Sequence, residues 1–552
     1  MYTPAQAGWH GSAATASLVI GSRSVLRLPV LQPDTVFSRK LANGEKSQIP
    51  LQKVGKQVPS DRLGNFKEVS LGFTPEQAVV EAARCFNCNH HPCTEACPVH
   101  NDIPTALFRI EVGDFNGAAE VFRRRSTFPE VCGRLCPQEK LCEGACIVGN
   151  LKDNPPVAIG RLEAFCTDSQ RRALGGFPMP AMQPRTEMRV AVVGTGPAGL
   201  AAAEDLAAAG HSVTAYDMWP QAGGLLLYGI PGFKLEKQVV LDKLDMLRRM
   251  GVTFVTGVKI GQDITIDQLL AQGFEAIFLG TGAPAGNTLD VPGEDLRRVY
   301  QATDFLVRGN LPPELLPEGQ RDKPLVGERT LVVGGGDTAM DCVRTAARLA
   351  VAHKGEVVCV YRRSEDEMTG RMEERIHAVD EGVKFEFKTT PVRLVSAPPG
   401  ETQDLAHLVV SPDGLVRGAV CVRMAMGEPD ASGRRSPVMV PGSEFFVEAD
   451  TVVLAIGYSP DPLVPKTTPG LEADRKFRIK VKTEDTGETS RPGVFAAGDN
   501  VRGADLIVTA IAAARAAARA CDAYLRSRPE ERAAAPAGAG SSASGSARPV
   551  SR

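Results

Sequence analysis

The chain has 552 residues, of which 43% are hydrophobic and 23% charged, and its formal net charge is −2. This length exceeds what one hydrophobic core supports, so we expect about three domains. The charge offers no basic surplus for the phosphates of a nucleic acid, and no apolar run is long enough to span a bilayer. We therefore expect a cytoplasmic globular protein that binds neither nucleic acid nor a membrane.

Residues 1–50 show no sustained periodicity, and we expect a disordered or atypical N-terminal extension there. It lacks the apolar run of a secretory signal, whereas its Ala- and Ser-rich composition without an acid before Asp34 fits a transit peptide weakly. The first clear helix signal follows later. Thr74 can cap a helix that starts at Pro75, and Gln77 completes a capping box.

Eight of the thirteen cysteines fall in one short stretch, between Cys85 and Cys146. Because the chain carries no export signal, clustered cysteines indicate metal binding rather than disulfides. The first run is Cys85-x2-Cys88-x4-Cys93-x3-Cys97-Pro, and the second comprises Cys132, Cys136, Cys142 and Cys146. Such spacing suits iron–sulfur clusters, and two zinc sites are the alternative.

A dinucleotide fingerprint follows a buried-strand run that begins at Met188. It has the pattern G-x-G-x-x-G and comprises Gly194, Thr195, Gly196, Pro197, Ala198 and Gly199. Such glycines permit the turn out of the strand, the approach of a pyrophosphate and close helix packing. The next strand ends in Asp217, whose carboxylate can accept both ribose hydroxyls. We therefore predict a nucleotide site here, against the alternative of a glycine turn without a ligand.

A second fingerprint follows the strand run that begins at Arg329. It comprises Gly334, Gly335, Gly336, Asp337, Thr338 and Ala339. The strand after it ends in Arg362 and Arg363 rather than in an acid. Guanidinium groups bind a 2′-phosphate, so this site is expected to prefer NADPH, with Arg371 assisting. The alternative is that these arginines form a solvated edge.

The order of these units resembles the small (beta) subunit of NADPH-dependent glutamate synthase and the N-terminal half of dihydropyrimidine dehydrogenase. The most specific phrases are Cys132-Gly-Arg-Leu-Cys-Pro-Gln-Glu-Lys-Leu-Cys-Glu-Gly-Ala-Cys146 and Gly334-Gly-Gly-Asp-Thr-Ala-Met-Asp341. The resemblance covers residues from about 65 to 525.

The resemblance implies FAD at the first site. Gly498 and Asp499 would contact the ribityl chain, and the loop with Gly224 and Leu225 would run under the isoalloxazine. It also implies two [4Fe–4S] clusters with crossed ligation. One would use Cys85, Cys88, Cys93 and Cys146. The other would use Cys97, Cys136, Cys142 and Glu163, which stands where the dehydrogenase has a glutamine, and Cys132 would be a spare.

The expected fold class is α/β, with two Rossmann-like dinucleotide-binding domains preceded by an α-helical bis-[4Fe–4S] ferredoxin-like domain. The expected ranges are an extension (1–50), an iron–sulfur domain (51–180), an FAD domain in two parts (181–320 and 451–526), an NADPH domain (321–450) and a disordered tail (527–552).

The resemblance implies an electron-input subunit that passes electrons from NADPH through FAD to the clusters. A partner large subunit would then make glutamate from glutamine and 2-oxoglutarate. The alternative partners are those of an NAD(P)H:ferredoxin-type oxidoreductase or a pyrimidine reductase. A hypothesis from another class is a non-catalytic scaffold that has lost its cofactors. We expect no acid–base catalytic residue, because the cofactors carry the chemistry.

Overall fold

The computed structural model describes residues 16–20, 24–28, 41–397, 405, 414–429 and 435–534. Most of the expected extension (1–50) and of the expected tail (527–552) lies outside these residues. In the part of the chain that is described, no helix is long and apolar enough to cross a membrane.

The strands, in chain order, are β1 (Ala16–Ile20), β2 (Ser24–Leu28), β3 (Gly55–Lys56), β4 (Ser70–Gly72), β5 (Arg189–Val193), β6 (Ser212–Asp217), β7 (Thr253–Thr256), β8 (Ala276–Leu279), β9 (Ala285–Gly286), β10 (Val299–Gln301), β11 (Arg329–Val333), β12 (Glu356–Tyr361), β13 (Lys384–Phe387), β14 (Thr389–Val395), β15 (Gly418–Pro429), β16 (Arg435–Met439), β17 (Phe445–Glu448), β18 (Thr451–Leu454), β19 (Tyr458–Ser459) and β20 (Val494–Ala496).

The α-helices are α1 (Asn43–Lys46), α2 (Pro59–Leu63), α3 (Pro75–Ala82), α4 (Pro92–Glu95), α5 (Ile103–Glu111), α6 (Phe115–Arg125), α7 (Pro129–Leu135), α8 (Ile159–Leu174), α9 (Pro197–Ala208), α10 (Gly224–Tyr228), α11 (Lys237–Arg249), α12 (Ile266–Ala271), α13 (Ala302–Asn310), α14 (Asp337–Ala350), α15 (Met372–Asp380), α16 (Leu463–Thr467), α17 (Asp499–Arg502) and α18 (Ile507–Ala534).

Helices α1 to α8 form the cysteine domain (41–174). The predicted start of α3 is observed, because the Thr74 hydroxyl accepts a hydrogen bond from the Gln77 amide and the Gln77 side chain accepts one from the Thr74 amide. Helix α5 turns Ile103, Leu107 and Ile110 inward at helical spacing, and all three are buried. The domain therefore has a hydrophobic core among short helices.

The first nucleotide domain (188–286 and 458–534) contains a five-stranded parallel sheet in the order β20-β8-β5-β6-β7. Its strand β5 is buried from Val190 to Val193, as expected for a parallel strand covered on both faces. Helix α9 follows β5 directly and packs against α18 from the end of the chain. The carboxyl ends of the strands therefore lie at one edge, where a ligand binds in open α/β sheets.

The second nucleotide domain (299–454) contains another parallel sheet, in the order β10-β18-β11-β12-β13. An antiparallel sheet of β14, β15, β16 and β17 extends it. Both expected boundaries of this domain need correction, because β10 precedes residue 320 and β18 follows residue 450. Thr330 pairs with Thr451, and Val299 pairs with Val452. These are pairings between distant parts of the chain, which local patterns do not reveal.

The N-terminal boundary of the cysteine domain also lies earlier than expected. Within the predicted extension, α1 carries Lys46, whose ammonium group donates to the Cys85 carbonyl oxygen at 2.9 Å and pairs with Glu111 at 3.1 Å. Ile49 is buried beside Val80 of α3. The segment from residue 41 is therefore part of the domain, because it buries an ion pair and an apolar side chain.

The last helix corrects the expected start of the tail at 527, since α18 continues to Ala534. This segment is rich in alanine and arginine, which have high helix propensity. The remaining residues of the expected tail lie outside the described part of the chain.

We predict that Lys46→Met destabilises the cysteine domain by about 3 kcal/mol, because it leaves the Glu111 carboxylate and the Cys85 carbonyl without their buried cation. The measurement is guanidinium denaturation followed by circular dichroism. Lys53→Met is the matched control, since Lys53 is exposed. Equal unfolding midpoints for the two variants would contradict the assignment of this segment to the domain.

Candidate nucleotide and iron–sulfur sites

The first glycine turn connects β5 to α9 in the way its sequence predicts. Gly194 has a φ of +92°, and a Cβ atom there would lie 2.4 Å from the Gly280 carbonyl oxygen. A Cβ atom on Gly199 would lie 1.8 Å from the Gly194 carbonyl oxygen. The two glycines therefore allow α9 to start against the strand, where its free N–H groups favour an anion.

A cavity opens at the start of α9. Gly196 is in its wall, and a Cβ atom there would meet no atom within 4 Å, so the turn leaves room for a ligand. Most of the residues predicted to bind FAD line this cavity: Gly194, Gly196, Pro197, Ala198, Asp217, Gly224, Leu225 and Asp499. The space and its glycine wall fit a bound dinucleotide.

Asp217 makes contacts that its sequence position did not predict. Its carboxylate accepts hydrogen bonds from the Thr195 amide at 2.8 Å, from the Thr195 hydroxyl, and from the Trp219 amide at 2.9 Å. Burial raises the pKa of Asp217 despite these bonds. The carboxylate therefore holds the glycine turn in shape, and its contact with ribose hydroxyls stays a prediction.

The chain returns to the same cavity after β20. Gly498 has a φ of +86°, and a Cβ atom there would lie 3.0 Å from that of Ala198. Gly498 and Gly199 therefore serve close packing behind the cavity wall. Asp499 lies in the wall itself, and burial raises its pKa to about 7. At neutral pH this carboxyl group can accept or donate a hydrogen bond to a ligand hydroxyl.

The second glycine turn connects β11 to α14 and lies across the same cavity. Thr338 and Asp341 of α14 line the cavity together with Gly196 and Ala198 of the first turn. The other predicted residues of this turn, Gly334, Gly336, Asp337 and Ala339, stand at the end of β11 and the start of α14. The two nucleotide domains therefore present their turns to one shared space.

Two of the three predicted phosphate-binding arginines lie at the end of β12. Arg362 is exposed, whereas Arg363 is buried and donates to the Arg435 carbonyl oxygen at 3.2 Å. Arg371 is buried, and its guanidinium donates to the Arg134 carbonyl oxygen at 2.7 Å and to the Gln138 side chain at 3.0 Å. The terminal nitrogens of Arg371 thus bind the cysteine domain, and its assistance at the 2′-phosphate stays a prediction.

Sequence reasoning missed several cavity residues. Trp219 and Tyr228 stack with ring centroids 4.5 Å apart, and both line the cavity. Trp219 lies two positions after Asp217, and this nearness in sequence to a predicted ligand residue could have indicated it. Asp341 pairs with Lys234 of the first nucleotide domain at 2.9 Å, and burial raises the pKa of Asp341 to about 6. This pair joins the two domains beside the cavity.

One set of cysteines surrounds a small cavity in the cysteine domain. Cys85, Cys88, Cys93 and Cys146 line it. These are the four residues expected to hold the first cluster. Burial raises the pKa of Cys85 to about 11 and that of Cys93 to about 12. Buried thiolates need a nearby cation, which the iron of a cluster supplies, so the donor set fits the predicted group.

The other set lies deeper. Burial raises the pKa of Cys97 and Cys142, and a hydrogen bond with Cys132 together with burial raises that of Cys136. The charge of Glu163 is a smaller contribution to the raised pKa of all three thiols. Glu163 is 7% exposed and accepts a hydrogen bond from Asn101 at 3.2 Å. Glu163 is therefore a buried carboxylate in the same region of the domain, and its role as the fourth ligand stays a prediction.

Cys132, the expected spare, belongs to the same neighbourhood. A hydrogen bond with Cys136 lowers the pKa of Cys132, and the Ser126 hydroxyl lies 3.5 Å from its sulfur. Across the described residues, no three His, Cys, Asp or Glu side chains are placed as a group that could hold a single metal ion. The first predicted set thus lines one cavity, whereas the joint ligation of one cluster by the second set stays a prediction.

Comparison with known proteins identifies the family of both parts of the chain. Residues 62–174 match the family model described as dihydropyrimidine dehydrogenase domain II, 4Fe-4S cluster, and residues 188–514 match pyridine nucleotide-disulphide oxidoreductase. The NADPH glutamate synthase small chain of Halomonas elongata is 40% identical over 498 residues, which cover 88% of this chain and all of that protein.

Two further matches cover different shares of the chain. The NADPH-Fe(3+) oxidoreductase subunit beta of Geobacter sulfurreducens is 35% identical over 490 residues, which cover 84% of this chain and 68% of that protein. The structure of Mycobacterium tuberculosis FprA in complex with NADPH superposes with a TM-score of 0.51 at 21% identity, covering 63% of this chain and 86% of that one. At this identity the likeness shows the fold alone.

These matches confirm the expected fold class and the expected cofactors, which are FAD, NADPH and a 4Fe–4S cluster. The chain is thus an oxidoreductase with an iron–sulfur domain ahead of its nucleotide domains. It belongs to the family of the NADPH-dependent glutamate synthase small chain.

Proposed function

We propose that this chain is the NADPH-oxidising electron-input subunit of a glutamate synthase. The observation that carries the proposal is the shared cavity, whose wall includes Gly196 from the first glycine turn and Thr338 from the second. Two bound dinucleotides held by these turns would meet in one space. The relative from Halomonas elongata, named a small chain, is matched over its whole length and supports this assignment.

When bound, FAD accepts a hydride as an electron pair and can release single electrons to 4Fe–4S clusters. The residues of the chain position and shield these groups. The N–H groups at the start of α9 and α14 favour the two pyrophosphates. The stacked rings of Trp219 and Tyr228 form part of the cavity wall.

We expect the cysteine domain to hold two [4Fe–4S] clusters. Cys85, Cys88, Cys93 and Cys146 would hold the first. Cys97, Cys136, Cys142 and Glu163 would hold the second, with Cys132 as a neighbour that does not ligate. Glu163 would supply a carboxylate oxygen to one iron of this cluster, and this is a harder donor than a thiolate.

A second function has its own support. The relative from Geobacter sulfurreducens is named a subunit of an NADPH-Fe(3+) oxidoreductase, so a chain of similar sequence is associated with a different acceptor. In that case the same cavity and ligand sets would deliver electrons to another partner. The choice between the two depends on the partner and not on the sites described here.

The test of the proposed function is co-expression with the glutamate synthase large subunit of the same organism. We expect a stable complex that forms glutamate from glutamine and 2-oxoglutarate at the expense of NADPH. The isolated chain should contain flavin and about eight iron atoms. A colourless preparation would support the scaffold hypothesis, and a coloured one that reduces ferric iron but neither binds the large subunit nor forms glutamate would support the second function.

We predict that Arg362→Gln raises KM for NADPH about tenfold and leaves KM for NADH unchanged, because we expect its exposed guanidinium to bind the 2′-phosphate. Arg363 is left intact because its side chain is buried against the Arg435 backbone. The measurement is steady-state reduction of an artificial acceptor. Lys384→Gln on the neighbouring strand is the control, and an unchanged ratio of the two KM values would refute the role of Arg362.

We predict that Glu163→Ala removes the second cluster and halves the iron content, whereas Cys132→Ala keeps both clusters. Glu163 is the expected fourth ligand, and Cys132 is held by hydrogen bonds with Cys136 and Ser126. Iron analysis and electron paramagnetic resonance of the reduced proteins measure both effects. The reverse pattern would assign the fourth position to Cys132.

A further inference from the structure

A short loop, Thr369 to Arg371, lies directly on the second glycine turn. The Gly370 amide donates to the Gly335 carbonyl oxygen, and the Arg371 amide donates to the Asp337 carboxylate, each at 3.0 Å. A Cβ atom on Gly370 would lie 3.1 Å from the carbonyl carbon of Gly336. A movement of the second glycine turn would therefore move the loop with it.

The other side of this loop contacts the cysteine domain. The Arg371 guanidinium donates to the Arg134 carbonyl oxygen at 2.7 Å and to the Gln138 side-chain oxygen at 3.0 Å. Lys140 donates to the Thr369 carbonyl oxygen at 2.9 Å. Arg371 is only 5% exposed, so its two bonds are screened from solvent, whereas the Lys140 bond is exposed. The loop is thus held between the two domains by contacts on both of its sides.

Gln138 organises the turn that carries two ligands of the second cysteine set, Cys136 and Cys142. Its carbonyl oxygen accepts from three amides at 3.0 Å, and its side-chain amide donates to the Gly133 carbonyl oxygen at 3.1 Å. A Cβ atom on Gly160 would lie 2.3 Å from that side-chain nitrogen. The three amides belong to Leu141, Glu143 and Gly144. A shift of Gln138 would therefore move the ligand turn.

We propose that Arg371 is a positioning residue that couples nucleotide binding at the second glycine turn to the reduction potential of the second cluster. The inference rests on the proposed function, because it assumes a nucleotide phosphate at Asp337 and a cluster on Cys136 and Cys142. A nucleotide that fixes the turn also fixes the loop, and this holds the Arg371 cation against the Gln138 turn. A cation held against the turn that carries Cys136 and Cys142 would favour the reduced, more negative cluster and raise its potential.

Coupling between two sites is reciprocal. If nucleotide binding favours the reduced cluster, the reduced cluster binds the nucleotide more tightly by the same factor. We expect a factor of about ten, which corresponds to about 59 mV for a one-electron couple. The chain would then hold its nucleotide more tightly once an electron has reached the cluster.

The test is a redox titration of the holoenzyme followed by electron paramagnetic resonance, with and without adenosine 2′,5′-bisphosphate. This probe carries the 2′-phosphate but no nicotinamide, so it does not take part in the redox reaction. In the wild-type protein the probe should raise the potential of the second cluster by about 59 mV and leave the first unchanged. Arg371→Met should abolish the shift, and Arg371→Lys should restore part of it.

Arg375→Met is the matched control. Arg375 lies in helix α15, which begins directly after Arg371, and it pairs with Glu365. This variant should keep the full shift. If Arg371→Met fails to hold the second cluster, the Lys variant and Lys140→Met carry the test, each with a reduced shift expected. A wild-type protein that contains both clusters and binds the probe without any shift overturns the coupling alone. Absence of the clusters or of binding overturns the proposed function as well.

Discussion

The angle between the two nucleotide domains is fixed by charges buried at their junction, and the shared cavity depends on that angle. Lys234 pairs with Asp341 across the junction at 2.9 Å. Phe233 of the first domain lies under the Arg344 guanidinium at 4.3 Å, and Arg344 is held in turn by Glu381 at 2.8 Å. Removing one partner of such a buried pair leaves an uncompensated charge, so alternative domain angles are costly. Both glycine turns can therefore face one space.

The parts of the molecule that follow from local sequence were predictable. A glycine turn after a buried strand specifies its own geometry, and the positive φ of Gly194 and the close approach of Gly199 agree with that expectation. The same holds for the cap at Thr74. Contacts between distant segments were not predictable. The pairing of β18 with β11 places a domain boundary later than expected, and the contacts of Arg371 with the cysteine domain had no sequence signal.

The cysteine domain shows the same division. The spacing of the cysteines indicated metal binding, whereas their division into two crossed sets and the inclusion of Glu163 came from the family resemblance. The sequence did not predict the contact of Lys46 with the Cys85 carbonyl oxygen, because a lysine in a polar segment is usually exposed. A charge is buried only where a partner compensates it, and here the partner is Glu111. Patterns of neighbouring residues do not identify a partner so far along the chain.

The first nucleotide domain is interrupted by the second, and this has a consequence for synthesis on the ribosome. Strand β20 pairs with β8, with Val494 opposite Ile277, yet the entire second domain is translated between them. Until β20 is translated, the hydrophobic strand β8 is an unpaired edge of the nascent sheet, and such an edge is prone to aggregation. The inserted domain can fold first as a unit. The newly made chain therefore reaches its most vulnerable stage late, when chaperone protection matters most.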